Sequence, residues 1–134
     1  MKTKWSETQL LASIAALLIV AAAGPLAAHH SFSAFNTTEE KTITGSVKKV
    51  EWTNPHIWIY IDVANDKGGT DIYSFEGMSP NYLERRDWTR TTLKVGDKIT
   101  VTYNPMRNGD KGGMFRTGKM ASVKVLTMAG GQGQ

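Results

Sequence analysis

The stretch Thr53-Asn54-Pro55-His56-Ile57-Trp58-Ile59-Tyr60-Ile61-Asp62-Val63 constrains this chain more than any other. Proline lacks a backbone donor and fixes its own φ, so Pro55 belongs at the beginning of a strand. From His56 onward the residues alternate. Ile57, Ile59, Ile61 and Val63 share one face, and His56, Trp58, Tyr60 and Asp62 share the other. A period of two predicts a strand with two unlike faces. The aliphatic face predicts core, where each such side chain contributes about 1.5–3 kcal/mol before entropy is subtracted. The second face sets two aromatics with polar handles between a histidine and an acid.

The rest of the chain builds around this strand. Thr42 to Trp52 reads as a first strand whose apolar parity switches: Ile43 and Val47 lie on one face, Val50 and Trp52 on the other. Such a switch, with Gly45 inside the strand, predicts a bulge or a sharp coil. Ala64 to Gly69 is a turn cluster, and Thr70 to Glu76 returns as a third strand, completing a hairpin. Ser79-Pro80 carries the cap and first-turn residues of a helix over about Pro80 to Asp87, with Tyr82 and Leu83 as apolar anchors. Trp88 is expected to plug the core edge. Leu93 to Asp97 turns into a fourth strand, Lys98 to Tyr103. Asn104 to Gly118 reads as a long mobile loop, and Lys119 to Thr127 as a fifth strand with Ala121, Val123 and Val125 inward. Five short strands, a coiled first strand and one short helix between strands three and four predict an all-β, OB-like Greek-key barrel. A five-stranded sandwich or another small barrel remains the alternative.

The flanks read differently. Lys2 and Lys4 precede an apolar run from Leu10 to Ala23, which Gly24-Pro25 ends. The run is shorter than the roughly 20 residues of a membrane span, and the layout is that of a secretory signal peptide over residues 1–28. Cleavage after Ala28 is the favoured cut; cleavage after Ala23 also fits the small-residue pattern, and cleavage after Ala27, which sets Pro25 at a recognition position, fits it poorly. Residues 29–41 then form an N-terminal arm that Phe32 and Phe35 could pin to a barrel spanning 42–128. The Gly/Gln tail, 129–134, is expected to be disordered. The 134 residues contain no cysteine, which removes disulfides, zinc–thiolate sites and thiol catalysis. The formal net charge is +4, but the basic residues are scattered, as on a solvated surface. A nucleic-acid patch is the sharper reading of the basic residues, but with export expected no nucleic-acid partner is expected.

His29-His30-Ser31-Phe32 after a leader, Gly45-Ser46-Val47, the run Val50-Glu51-Trp52-Thr53-Asn54-Pro55-His56, and a Gly96-Asp97 turn together resemble a family of small secreted bacterial proteins with a domain of unknown function. The resemblance covers nearly all of the chain after the leader. It implies a periplasmic one-domain β-protein and brings no activity with it.

Three chemistries are open to these residues. The first is metal binding by His29, His30 and His56. An α-amine and imidazole at His29 would chelate one ion together. If Ala28 is instead the first residue, His30 becomes the third and an amine, two amides and an imidazole can surround the ion. Nitrogen-rich sets of either kind suit Cu(II). The competing reading is a solvated histidine pair at the terminus and a structural His56. The second chemistry is a ligand face of Trp52, Trp58, Tyr60, Tyr73 and Phe75, on which a glycan, a small aromatic compound or a partner protein would dock; its rival is that these aromatics are packed as core. The third is hydrolysis by Glu51, Asp62 and Glu76, which alternate with solvent-type residues as surface charge does. No Ser/His/Asp spacing or phosphate loop points to an enzyme. The expectation is an exported, non-enzymatic binding module. Its preferred ligand is copper, and its partner a periplasmic redox or membrane-associated protein.

Overall fold

A computed structural model describes residues 30–120 and 125–128. The chain divides into two compact units, Met1–Ser33 and Ala34–Gln134. In the first, the described part is one turn of helix, α1 (His30–Ser33). The second holds β1 (Lys41–Glu51), β2 (Trp58–Ala64), β3 (Thr70–Glu76), α2 (Pro80–Glu84), β4 (Lys98–Pro105), β5 (Gly112–Met120) and β6 (Val125–Thr127).

The strands run β3-β2-β1-β4-β5-β6 through antiparallel pairs. A parallel pairing of β3 with β5, Ser74 opposite Gly112 and Glu76 opposite Met114, closes the first five into a barrel. With the helix between β3 and β4, this is the OB topology expected from the sequence.

The parity switch in β1 has a structural cause. Its first half pairs with β4, from Lys41 opposite Tyr103 to Ser46 opposite Lys98. Its second half pairs with β2, and the register slips between Val47 and Lys49. At that bulge Val47 is gripped by the turn before β4: its N–H donates to the Asp97 carbonyl at 2.9 Å, and its carbonyl accepts from Gly96 N–H at 2.8 Å. The Gly96-Asp97 turn thus anchors the point where one strand changes partners. Asp97 also accepts from Lys94 N–H at 2.8 Å, which fixes the turn itself.

The interior follows the alternation. Ile57, Ile59 and Ile61 are fully buried, as are Phe75, Val101 and Leu83. Phe75 lies at the centre of an aromatic cluster, edge-on to Tyr103 at 5.0 Å between ring centroids and to Phe115 at 6.5 Å. Trp88 closes the cluster from below the helix, edge-on to Phe115 at 6.1 Å. Ser79 caps α2 by accepting from Tyr82 N–H, and Pro80 takes the first helical position. The helix ends at Glu84 rather than near Asp87.

One element differs from the sequence reading. The stretch expected as a mobile loop, Asn104 to Gly118, is the turning half of a β4–β5 hairpin. Glycine is a poor strand former in isolation, but here it is required. A Cβ on Gly112 would stand 1.9 Å from the Ser74 carbonyl oxygen, and one on Gly113 would stand 1.9 Å from that of Asn104. Gly112 also adopts φ +131. The two glycines let three strands approach closely where the barrel closes. The strand expected over Lys119 to Thr127 is accordingly two strands, β5 ending at Met120 and β6 beginning at Val125. Ala121 and Val123 lie outside the described residues, as do the expected leader and tail.

In the arm, Phe35 is buried and bridges to Met106. Asn36 N–H donates to the Pro105 carbonyl at 2.8 Å, and Asn104 Nδ2 donates to the Glu39 carbonyl at 2.7 Å. The arm from Ala34 onward is therefore stitched along the end of β4. Phe32, expected to help pin it, is exposed.

Candidate functional site

His56 sits at the end of the β1–β2 connection, which contains a cis Asn54-Pro55 bond. Its position is set by its neighbour. Ile57 is fully buried, and its backbone bonds both ways to the segment after β3: its N–H to the Met78 carbonyl at 3.1 Å, its carbonyl from Gly77 N–H at 2.9 Å. The β2–β3 register places Trp58 opposite Glu76. Together these bring His56 Nδ1 onto Glu76 Oε1. The His56 side chain is 29% exposed and that of Glu76 12%. The bond through Nδ1 holds the imidazole ring in place, in the way that carboxylates orient histidines elsewhere.

Beside this pair, the outer face of β1, β2 and β3 carries Trp58 and Tyr60, both half-buried. Tyr60 donates to Glu51 Oε2 at 3.1 Å, and Lys49 Nζ reaches Glu51 Oε1 at 2.5 Å. Lys49 also stands over the Tyr60 ring, 5.7 Å from its centroid. The Lys49 and Tyr60 hydrogen bonds hold the Glu51 carboxyl below its ordinary pKa. Partial burial, then the bond to Glu51, pushes the Tyr60 phenol above its own. Lys48 pairs with Asp62 at 3.1 Å. Ile72, directly opposite Asp62, is half-exposed and adds an apolar spot. Trp58, Tyr60 and Ile72 thus form a diagonal apolar band bordered by charges that neutralise one another locally.

The sequence-predicted aromatics do not share one face. Tyr73 and Phe75 pair with Ile61 and Ile59 and point into the barrel with them. Phe75 is fully buried. Trp52 is buried too, its carbonyl accepting from Arg90 Nη1 at 3.3 Å. Of the expected set, Trp58 and Tyr60 are the two on the outer face, and Tyr73 is partly buried on the inner one. Of the three histidines, His29 lies outside the described residues, and α1, which begins at His30, belongs to the other compact unit. Among the described residues no three His, Asp or Glu side chains gather as a metal site would require. Two partnerships escaped the sequence reading: Glu76 with His56, twenty residues apart, and Glu51 with both Lys49 and Tyr60. The hairpin register carried the signal for the first, since strands meeting across the 64–69 turn must bring Trp58 opposite Glu76.

Among solved structures, the chain is similar to the mitochondrial single-stranded DNA binding protein Rim1 from S. cerevisiae, at 9% identity and a TM-score of 0.48, over 62% of this chain and 93% of that one. The barrel assignment rests on the strand pairings themselves. No curated protein matches the chain. A family model does match, over residues 16–116. That span holds the His-His-Ser-Phe segment, the Trp-Thr-Asn-Pro-His element and the whole β1–β4 framework, and the chain belongs to the family of unknown function DUF6152.

Proposed function

We propose that this chain is a non-enzymatic binding module that engages an uncharged, ring-bearing ligand such as a glycan through the outer face of β1, β2 and β3. The observation that carries this reading is the internal pairing of charge around a half-exposed aromatic pair. Lys48 is matched by Asp62 and Lys49 by Glu51, and Glu76 is engaged by His56 through a hydrogen bond. Such a face offers no net cationic field to a phosphate backbone. It does offer flat rings for stacking and fixed hydroxyl and carboxylate groups for orientation. The strands 2–3 face is also where OB barrels commonly receive ligands. The leader-like N-terminal sequence fits a target outside the cytoplasm.

Tryptophan fluorescence tests the reading. Of the four tryptophans, Trp52 and Trp88 are buried and Trp5 lies outside the described residues, so a ligand on this face should perturb Trp58. Titration with a panel of neutral oligosaccharides should quench or shift the emission of the full chain, and the response should vanish in Trp58→Phe. Silence across the panel would overturn the proposal.

Copper is the second reading, favoured by one observation: Glu76 orients the His56 ring through Nδ1, the arrangement that carboxylates impose on metal-bound histidines. His29 and His30 would supply the terminal nitrogens. Titrating processed protein with Cu(II) should give a one-to-one complex with d–d absorbance, abolished by His29→Ala with His30→Ala. His56→Ala reads separately whether the barrel contributes a ligand. Affinity no better than that of free histidine would sink this reading.

A further inference from the structure

The other outer face of the barrel, formed by the first half of β1 with β4 and β5, is built differently. Thr42 stands opposite Thr102 and Thr44 opposite Thr100, with hydroxyl oxygens 3.2 and 2.8 Å apart. Lys119 stands opposite Thr100 on the far side, and Lys98 lies two residues before Thr100 on the same face. An open cavity of about 320 Å³ is lined here by Thr44, Lys98, Ile99, Thr100, Lys119 and Met120.

We infer that this cavity receives a small amphiphilic oxyanion, a carboxylate or phosphate head carried on an apolar body. No carboxylate lines it. Neither Lys98 nor Lys119 takes part in an ion pair among the described residues, whereas Lys41, Lys48, Lys49 and Lys111 all do. The two lysines are diagonal neighbours on adjacent strands, a placement in which residues stand roughly 7–8 Å apart and their Cβ atoms somewhat closer. Their long, flexible stems therefore allow both ammonium groups to reach one head group. The threonine pair adds a donor. Two hydroxyls that bond each other use one proton between them, so the second proton of Thr44 and Thr100 is free to point at an anion. Half-buried Met120 and the methyl groups of Thr44 and Thr100 supply apolar lining that a bare inorganic ion would not use. The volume is at the small end of ligand sites, which fits a single ring or a short chain.

The experiment titrates phenyl phosphate, benzoate and inorganic phosphate into the ¹⁵N-labelled full chain. Phenyl phosphate should shift the amides of Thr44, Thr100 and Lys119 with a Kd at least tenfold below that of inorganic phosphate. Benzoate should shift the same amides, and its rank against phenyl phosphate tells which head group is preferred. Lys98→Gln with Lys119→Gln should weaken phenyl phosphate at least tenfold. Both lysines are exposed, so the fold should be retained, and an unchanged spectrum elsewhere verifies it. Thr100→Val, which keeps the shape and removes a hydroxyl, should weaken binding by a smaller factor. Equal affinity for phenyl and inorganic phosphate, undiminished affinity in the double variant, or shifts confined to Trp58 and Tyr60 would each overturn the inference.

Discussion

On the β1–β2–β3 side of the barrel, Lys48 pairs with Asp62 and Lys49 with Glu51, and Glu76 is hydrogen-bonded to His56. On the β1–β4–β5 side, Lys98 and Lys119 stand beside threonines with no acid among the cavity-lining residues. Strand β1 contributes to both sides. Before the bulge it presents Thr42, Thr44 and Ser46, and after it Lys49 and Glu51. Exposed ion pairs contribute about 0–1 kcal/mol each, so the pairing on the first side does little for stability. Its consequence is the surface potential. One side pairs its lysines with acids around aromatic rings, and on the other two lysines have no ion-pair partner among the described residues. The contrast is what the two proposals rest on, uncharged ligands for the first side and anions for the second.

The largest expected effect removes the interior that both sides share. Phe75→Ala should destabilise the protein by about 3–5 kcal/mol, as large aromatic truncations in cores do. Urea denaturation measures it, and amide shifts should spread to both faces. A loss below about 1 kcal/mol would mean that Phe75 is not the centre of the cluster. Next comes closure. Gly112→Ala forces a Cβ against the Ser74 carbonyl at a positive φ and should cost about 3 kcal/mol, from overpacking together with backbone strain. If it is tolerated at no cost, the parallel β3–β5 pairing is not what holds the two sides together.

These two positions also mark what the sequence could and could not disclose. The alternation from Ile57 to Val63, the parity switch in β1, the Ser79-Pro80 cap and the Gly96-Asp97 turn were legible, because each is a local rule acting over a few residues. The β5 strand was not. Gly112, Gly113 and Gly118 argue for a loop by propensity, and only the approach of Ser74 and Asn104 makes glycine the residue a strand needs there. Phe75 was legible as a strand residue but not as an interior one. Parity says which residues share a face; the pairing of Ile59 with Phe75 says which face turns inward. His56 was singled out by its rarity, while its partner Glu76 looked like one surface acid among several.

Trp58→Ala should sharpen the division between the faces. Trp58 is half-buried on an outer surface, so its truncation should cost about 1 kcal/mol or less. The fluorescence response to a neutral glycan should disappear. Phenyl phosphate binding at Lys98 and Lys119 should keep its wild-type Kd. Loss of both responses together would show that the two faces are one coupled surface.

The smallest effect is electrostatic and belongs to one face. Lys49 and Tyr60 hold the Glu51 carboxyl below its ordinary pKa. A group depressed in the folded state stabilises it above the unfolded pKa, and that contribution is lost as pH falls through the folded value. Glu51 is exposed to solvent, so the change in stability is small and the titration itself is the better readout. NMR of the side-chain carboxyl should give a midpoint below that of glutamate in an unfolded peptide. Lys49→Met with Tyr60→Phe should restore the peptide value, since both hydrogen-bond donors are then gone. Over the same acid range the amides of Thr44 and Thr100 should not move, because no carboxylate lines their cavity. A folded Glu51 midpoint at or above the peptide value would mean that the carboxylate is not held by these donors, and the neutralised face would lose its central pair.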